Sequence, residues 1–410
     1  MHEIVDTELF NAFSIYVSTA CDFLNDNRET NKSIPSKAVD YLQFNKSELS
    51  MIKRNIPDFN SLIWTFIDEL TNLPENKNVV ACRLKNTVYA KPRVENQDGS
   101  PVTEEQIIYF IRQETPWELL IYLNEKQEIV FDEQILRKVY SDIEYYRRTH
   151  KIHFNVLCPM ISFKCDLDEI KLNSDFTIRR ISEAEWNYLG EGDVYSAYIL
   201  SYLAKYAIYY KYSIFAEIDD SKKKQKIIRK IQNLLRAFRL YKEGDLYIDS
   251  IRQKPEGYAA VYLPYLLSVK NPKPVERPYN FNEMDVDDFH VFYQRYTTSK
   301  SLKRLSVALN RFDFYYERGR CEDELIDLMI AFESLFSNKK AYDKGELIGT
   351  ACSMLIGTNY VDRDRISKII NEAYDLRNSI IHGDDYNKER VKAIIKSLDP
   401  ILRDSIKKLL

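Results

Sequence analysis

Residues 369–385 read IINEAYDLRNSIIHGDD, and the spacing inside this stretch decides how the C-terminal part of the chain folds. Together with Ile366, the residues Ile369, Ile370, Ala373, Leu376 and Ile380 recur at three- and four-residue intervals, which places them on one face of a helix over 362–382. With about 100° of turn per residue, Arg377 falls inside that apolar stripe. A guanidinium there is costly unless a carboxylate, a ligand phosphate or a partner chain meets it. His382 follows five residues later, then Gly383. Taken alone, His382 reads as a helix-terminal residue suited to the macrodipole, with Gly383 in the left-handed conformation that stops the helix. Nor is the spacing distinctive, because Arg148 and His153 share it. Arg377 is the local anomaly.

Outward from this stretch the helical period persists. It predicts helices over 286–297, 300–317, 322–337, 345–356, 362–382 and 387–409, joined by short polar connections. In the third, Leu325, Leu328, Met329, Phe332, Leu335 and Phe336 form one stripe with Glu333 at its edge. The segment 285–410 is therefore expected to be an all-α bundle. Before it, KNPKPVERPYNFNE (270–283) carries Pro272, Pro274 and Pro278, which suit neither a helix interior nor a central strand, and a domain boundary is placed there.

The rest reads as mixed α/β, so the whole chain is α+β. Over 1–150 the pattern predicts helices at 8–24, 59–73 and 133–148 and strand-like runs at 78–84 and 117–123. Over 151–275, alternation at Ile152, Phe154, Val156 and again at Phe176, Ile178, Ile181 predicts strands leading into a helix capped at Ser182. Residues 194–216 form a Tyr-rich apolar segment, expected to be a buried helix or a strand pair. Between Ser221 and Leu240 stand eight basic residues and no acid, with Ile227, Ile231, Leu234, Leu235 and Phe238 at helical spacing. That is an amphipathic basic helix, either packed with a solvated basic back or touching an RNA backbone through Lys222, Lys223, Lys224, Lys226, Arg229 and Lys230.

Composition narrows the function classes. The 59 Lys and Arg against 62 Asp and Glu leave a formal net charge of −3, so no global basic field marks a nucleic-acid binder, and 285–410 holds 21 of each sign. Six scattered cysteines without a CxxC pair and five histidines without HExxH or HxH spacing argue against a metal site, and no cofactor is expected. Gly190-Glu191-Gly192 lacks the remainder of a phosphate loop, and GxSxG is absent. No leader segment is expected from MHEIVDTELFNAF, and no apolar run is long enough to span a bilayer, so a cytoplasmic protein without membrane contact is anticipated.

AFESLF (331–336), GELIGTACSML (345–355) and IINEAYDLRNSIIHGDD (369–385), in this order, resemble the HEPN superfamily, specifically its Apea-like branch. FTIRRISEAEW (176–186) and LLRAFRLYKEGDL (234–246) are similar to segments that accompany that domain. The resemblance implies a metal-independent endoribonuclease. Arg377 and His382 would be catalytic, Asn378 would orient the phosphate or the imidazole, and Glu333 would steady Arg377. It also implies RNA as substrate, tRNA among the candidates, a homodimer lining one cleft with two motifs, and a toxin role in anti-phage abortive infection. A phage-derived trigger would be sensed by residues 1–275.

The residue types suit that chemistry. Cleavage without a metal removes a proton from a ribose 2′-hydroxyl, stabilises a charged phosphorane and protonates the leaving 5′-oxygen. Histidine titrates near neutral pH, and arginine offers a planar pair of donors to phosphate. Arg377 and His382 lie about 140° apart on an ideal helix, so the helix loosens near Gly383, the long arginine wraps around, or a second protomer completes the site. The alternatives are a non-catalytic HEPN module that binds nucleotide or RNA and dimerises, a HEPN partner modified by a nucleotidyltransferase, and a helical scaffold. The last leaves Arg377 unexplained.

Overall fold

The computed structural model describes residues 3–31, 36–45, 48–85, 102–190, 193–215, 221–256, 265–268, 276–336 and 344–410. The N-terminal part runs α1 (Thr7–Asn31), β1 (Ser36–Asn45), β2 (Glu48–Pro57), α2 (Phe59–Thr65), α3 (Ile67–Asn72), α4 (Pro74–Lys85), α5 (Glu104–Lys126) and α6 (Glu133–Thr149). The middle part runs β3 (Lys151–Ile161), β4 (Phe163–Cys165), β5 (Glu169–Lys171), β6 (Phe176–Arg180), α7 (Glu183–Leu189), α8 (Val194–Leu203), β7 (Ala204–Phe215), α9 (Ser221–Tyr241), β8 (Tyr247–Ile248), β9 (Ser250–Pro255), β10 (Tyr265–Ser268) and β11 (Tyr279–Phe281). Then come α10 (Glu283–Thr298), a 3₁₀ turn (Lys300–Lys303), α11 (Ser306–Glu317), α12 (Cys321–Phe336), α13 (Lys344–Ile356), α14 (Tyr360–His382) and α15 (Lys388–Leu409). The chain is α+β overall, with helices throughout the described residues after α10 begins. Among the described residues no helix is long and apolar enough to cross a membrane.

Two predictions for the N-terminal part fail. The runs 78–84 and 117–123 lie inside α4 and α5 and are not strands. In α4 the buried residues Val79, Val80 and Arg83 fall at helical spacing. In α5, Leu119, Leu120, Tyr122 and Leu123 are all buried, so the helix is enclosed on several sides and its apolar run loses the period that would reveal it. Thr103 and Gln106 cap its start reciprocally. These helices form one core with α1, through residues such as Phe13, Val17, Leu70, Val79, Leu119 and Tyr140. Buried in that core, Arg83 pairs with Glu118.

The middle sheet has the order β10-β9-β3-β7-β6-β5, every neighbouring pair antiparallel, with β8 also on β3. The segment 194–216 is one helix followed by one strand, α8 and then β7. Ser182 and Glu185 form the anticipated capping box of α7. Phe154, Val156 and Cys158 of β3 lie opposite Tyr212, Tyr210 and Ile208 of β7 and are buried with them. The same core takes Ile227, Ile231, Leu234 and Phe238 of α9 and the apolar stripes of α12 and α14, so it draws on both sides of the proline-rich stretch. Residues 270–275 of that stretch lie outside the described residues. Polar contacts join the two sides as well. Buried Arg403 of α15 donates to the Arg239 carbonyl at 2.8 Å and to Asp399 at 2.7 Å, and Arg277 reaches Asp399 and Asp245, each at 3.2 Å.

Within the bundle, α13 lies close against α14 because two glycines permit it. A β-carbon on Gly349 would meet Ser367 Oγ at 3.0 Å and both Asn371 Oδ1 and the Ser367 carbonyl oxygen at 3.1 Å. One on Gly345 would meet the Tyr374 ring at 3.2 Å. That approach fixes the roll of α14, and with it the direction in which its last turns face.

Candidate active site

Packing of α12 on α14 brings Glu333 of the first helix to Arg377 of the second. Leu325, Leu328, Met329 and Phe332 of α12 are buried in one core with Ile366, Ile370 and Ala373 of α14. Glu333 follows Phe332, and Arg377 stands one turn beyond Ala373, so both lie where the core meets solvent. Their side chains are 23% and 22% exposed, and Arg377 Nη2 is 3.7 Å from Glu333 Oε1. The carboxylate that meets Arg377 is therefore Glu333. Asp375, the other acid nearby in sequence, points to solvent.

Arg377 is incompletely satisfied. A charge-assisted hydrogen bond to a carboxylate spans about 2.7–2.9 Å, so the contact with Glu333 is loose. Nη1 donates to Asn378 Oδ1 at 3.1 Å, while the buried Nε has no acceptor. The guanidinium stands 5.8 Å from the centre of the Tyr374 ring. A guanidinium has five N–H donors, and burying some without partners costs free energy that an anionic ligand would recover.

Helix α14 stays regular through His382 and ends at Gly383, whose φ of +78° is left-handed. The N–H groups of Gly383 and Asp384 both donate to the Ser379 carbonyl. The helix therefore does not loosen before His382, and among the described residues no contact joins Arg377 to His382. Asn378 lies one turn before His382 on the same face and accepts from Arg377. The His382 ring is exposed and has no hydrogen-bond or ion-pair partner among the described residues. Arg148 and His153, with the same spacing, lie on different elements, α6 and β3, and His153 Nε2 is 3.2 Å from the Tyr145 hydroxyl of α6.

Sequence reasoning missed the contact that fixes the turn after His382. The Tyr386 hydroxyl donates to Glu322 Oε1 at 2.9 Å, and Lys388 Nζ is 3.5 Å from the same oxygen. A hydrogen bond from its own backbone N–H, then those from Tyr386 and the charge of Lys388, hold the Glu322 carboxyl down at about 2. Asp384 and Asp385 remain exposed, as expected of a solvated turn. The only signal available beforehand was an aromatic residue in an otherwise polar turn.

The basic helix sits elsewhere. Its apolar positions are buried, and Lys222, Lys226 and Arg229 are exposed, while the side chains of Lys223 and Lys224 lie outside the description. Lys230 is tied to Asp175 at 2.8 Å and to the Tyr210 hydroxyl at 3.2 Å. Among the described residues none of these side chains bonds to Arg377, Asn378, His382 or Glu333. All six cysteines are free thiols, and among the described residues no three His, Cys, Asp or Glu side chains are grouped as metal ligands. No protein-family model, curated protein or solved structure matches the chain.

Proposed function

We propose that this chain is a metal-independent endoribonuclease whose residues 285–410 form an Apea-like HEPN domain. The observation that carries the reading is Arg377, a largely buried guanidinium with donors to spare, set two residues from the last turn of a helix that presents an exposed histidine. His382 takes the proton from a ribose 2′-hydroxyl, and the 2′-oxygen bonds to phosphorus. The bond from phosphorus to the 5′-oxygen breaks, and that oxygen is protonated, leaving a 2′,3′-cyclic phosphate and a 5′-hydroxyl. Arg377 binds the phosphoryl oxygens as charge grows on them, Asn378 holds the guanidinium and faces His382, and Glu333 limits its swing.

Base and acid are both needed, and one protomer supplies one His382, so the working form is a homodimer with two motifs along one cleft. In this account the enzyme is a toxin of anti-phage abortive infection. It acts in the cytoplasm on RNA, with tRNA the first substrate to try, and residues 1–275 sense a phage-derived trigger. Lys222, Lys226 and Arg229 are the exposed cations of the basic helix that would guide the RNA.

One observation favours a second reading. A catalytic base is usually oriented by a third group, and the His382 ring has none among the described residues. In that case Arg377 holds a phosphate and the domain binds nucleotide or RNA without turnover. An oligoribonucleotide with a single 2′-deoxy substitution at a mapped cleavage position separates the readings. The nuclease binds it and leaves that position uncut while cutting the all-ribose strand, whereas the binding module leaves both strands intact.

A further inference from the structure

The sheet face that carries Leu157 and Tyr209 borders a pocket of about 470 Å³, within the range of small-ligand sites. Strand alternation builds it. Leu157 and Tyr209, paired across β3 and β7, lie on this face with Arg179 of β6 and Lys254 of β9, and Tyr188 of α7 completes the lining. Each ring carries a cation: the Arg179 guanidinium lies 3.8 Å from the Tyr209 ring centre, and Lys254 Nζ lies 5.0 Å from that of Tyr188.

The charges divide into satisfied and unsatisfied ones. Arg179 makes two bonds to Glu185, at 2.6 and 3.1 Å, and Glu185 also accepts the Tyr209 hydroxyl at 2.9 Å. Of the other acids lining the pocket, Asp175 is held by Lys230 at 2.8 Å, and Glu169 has Lys171 at 3.7 Å. Lys254 has no carboxylate partner among the described residues. Arg252, two residues back on the same strand face and opposite Leu157, is half-buried, and its Nε is buried without an acceptor. Arg252 stands outside the pocket lining, so Lys254 is the unneutralised cation beside the two tyrosine rings, which together describe a site for a planar aromatic anion.

We propose that this pocket binds a nucleoside monophosphate, with the base against Tyr188 and Tyr209 and the phosphate on Lys254. Aromatic side chains accept the face of any base, so the rings supply affinity while Lys254 selects the charged ligand. The site lies on the middle part of the chain, and the proposal does not rest on the ribonuclease reading.

Calorimetric titration of the full chain carrying Arg377→Ala, which removes the anion-binding group of the candidate active site, tests it. The probes are AMP, GMP, CMP and UMP, with the corresponding nucleosides and inorganic phosphate alone as controls. At least one monophosphate binds, and its nucleoside and free phosphate bind at least about tenfold more weakly. Adding Lys254→Ala, an exposed position, or Tyr188→Ala weakens the monophosphate about tenfold. Absence of binding by all four monophosphates at millimolar concentration overturns the proposal, and so does an affinity unchanged by Lys254→Ala.

Discussion

Arg377 Nη2 stands 3.7 Å from Glu333 Oε1, a separation that keeps the guanidinium in place without consuming its donors. A tight bidentate pair would have closed it to ligands. Glu333→Gln is therefore expected to leave thermal stability nearly unchanged and to lower kcat/KM about tenfold by letting Arg377 wander. Arg377→Lys loses the planar fork and falls further, by about a hundredfold or more. Steady-state cleavage of one fluorescent RNA by the three proteins gives the order, and a Glu333→Gln loss as large as that of Arg377→Lys contradicts it.

The turn after His382 gives a pH prediction. The Glu322 carboxyl is depressed in the folded protein from the ordinary value near 4.5 to about 2. Its contribution to stability is therefore complete above pH 4.5 and fades as pH falls toward 2, because the unfolded chain takes up the proton first. Glu322→Gln is expected to cost about 1–3 kcal/mol at pH 7 and much less near pH 2. Urea denaturation at the two pH values measures the difference. An equal deficit at both sets the assignment aside.

At the helix crossing, Gly349→Val places a branched side chain where even a β-carbon meets the Ser367 carbonyl oxygen at 3.1 Å. Backbone cannot move aside as a side-chain tip can. We expect about 1–3 kcal/mol of destabilisation and loss of cleavage, since α14 must roll. Retained activity with unchanged melting would show that the crossing does not set the site.

The bundle was legible in the sequence because its stripes are one-sided and its connections short, so period and boundaries agree. Arg377 was legible for the opposite reason, as the one charge out of pattern. The hairpin β1–β2 was not. Only Leu42 and Leu49 among its described side chains are buried, and what holds it is distant. The Leu42 N–H donates to Asn187 Oδ1, and Asn187 Nδ2 donates to the Leu42 carbonyl, both at 2.7 Å. Tyr386 and Glu322 were hidden likewise, by 64 residues of separation. The run in α5 was mistaken for a strand because continuous burial erases the period that distinguishes a helix, and the run in α4 because its β-branched pair Val79-Val80 suits a strand as well.

Burial also ranks the ion pairs of the N-terminal core. Arg83 and Glu118 are almost fully buried, and Glu118→Ala leaves a guanidinium inside the core, at a cost of about 3–5 kcal/mol. Lys85 and Glu8 form a pair 67% and 68% exposed, and Lys85→Ala is expected to leave the melting temperature within error. Differential scanning fluorimetry decides, and similar shifts for the two variants would contradict the ranking.

The most direct measurement incubates the purified protein with total RNA in EDTA, beside Arg377→Ala and His382→Ala, and reads the new ends. Cleavage that persists in EDTA, leaves 2′,3′-cyclic phosphates and disappears in both variants is the predicted result. Intact RNA in every reaction, with phage-infected extract added as trigger, or cleavage undiminished in the variants, contradicts the assignment of Arg377 and His382 as the catalytic pair.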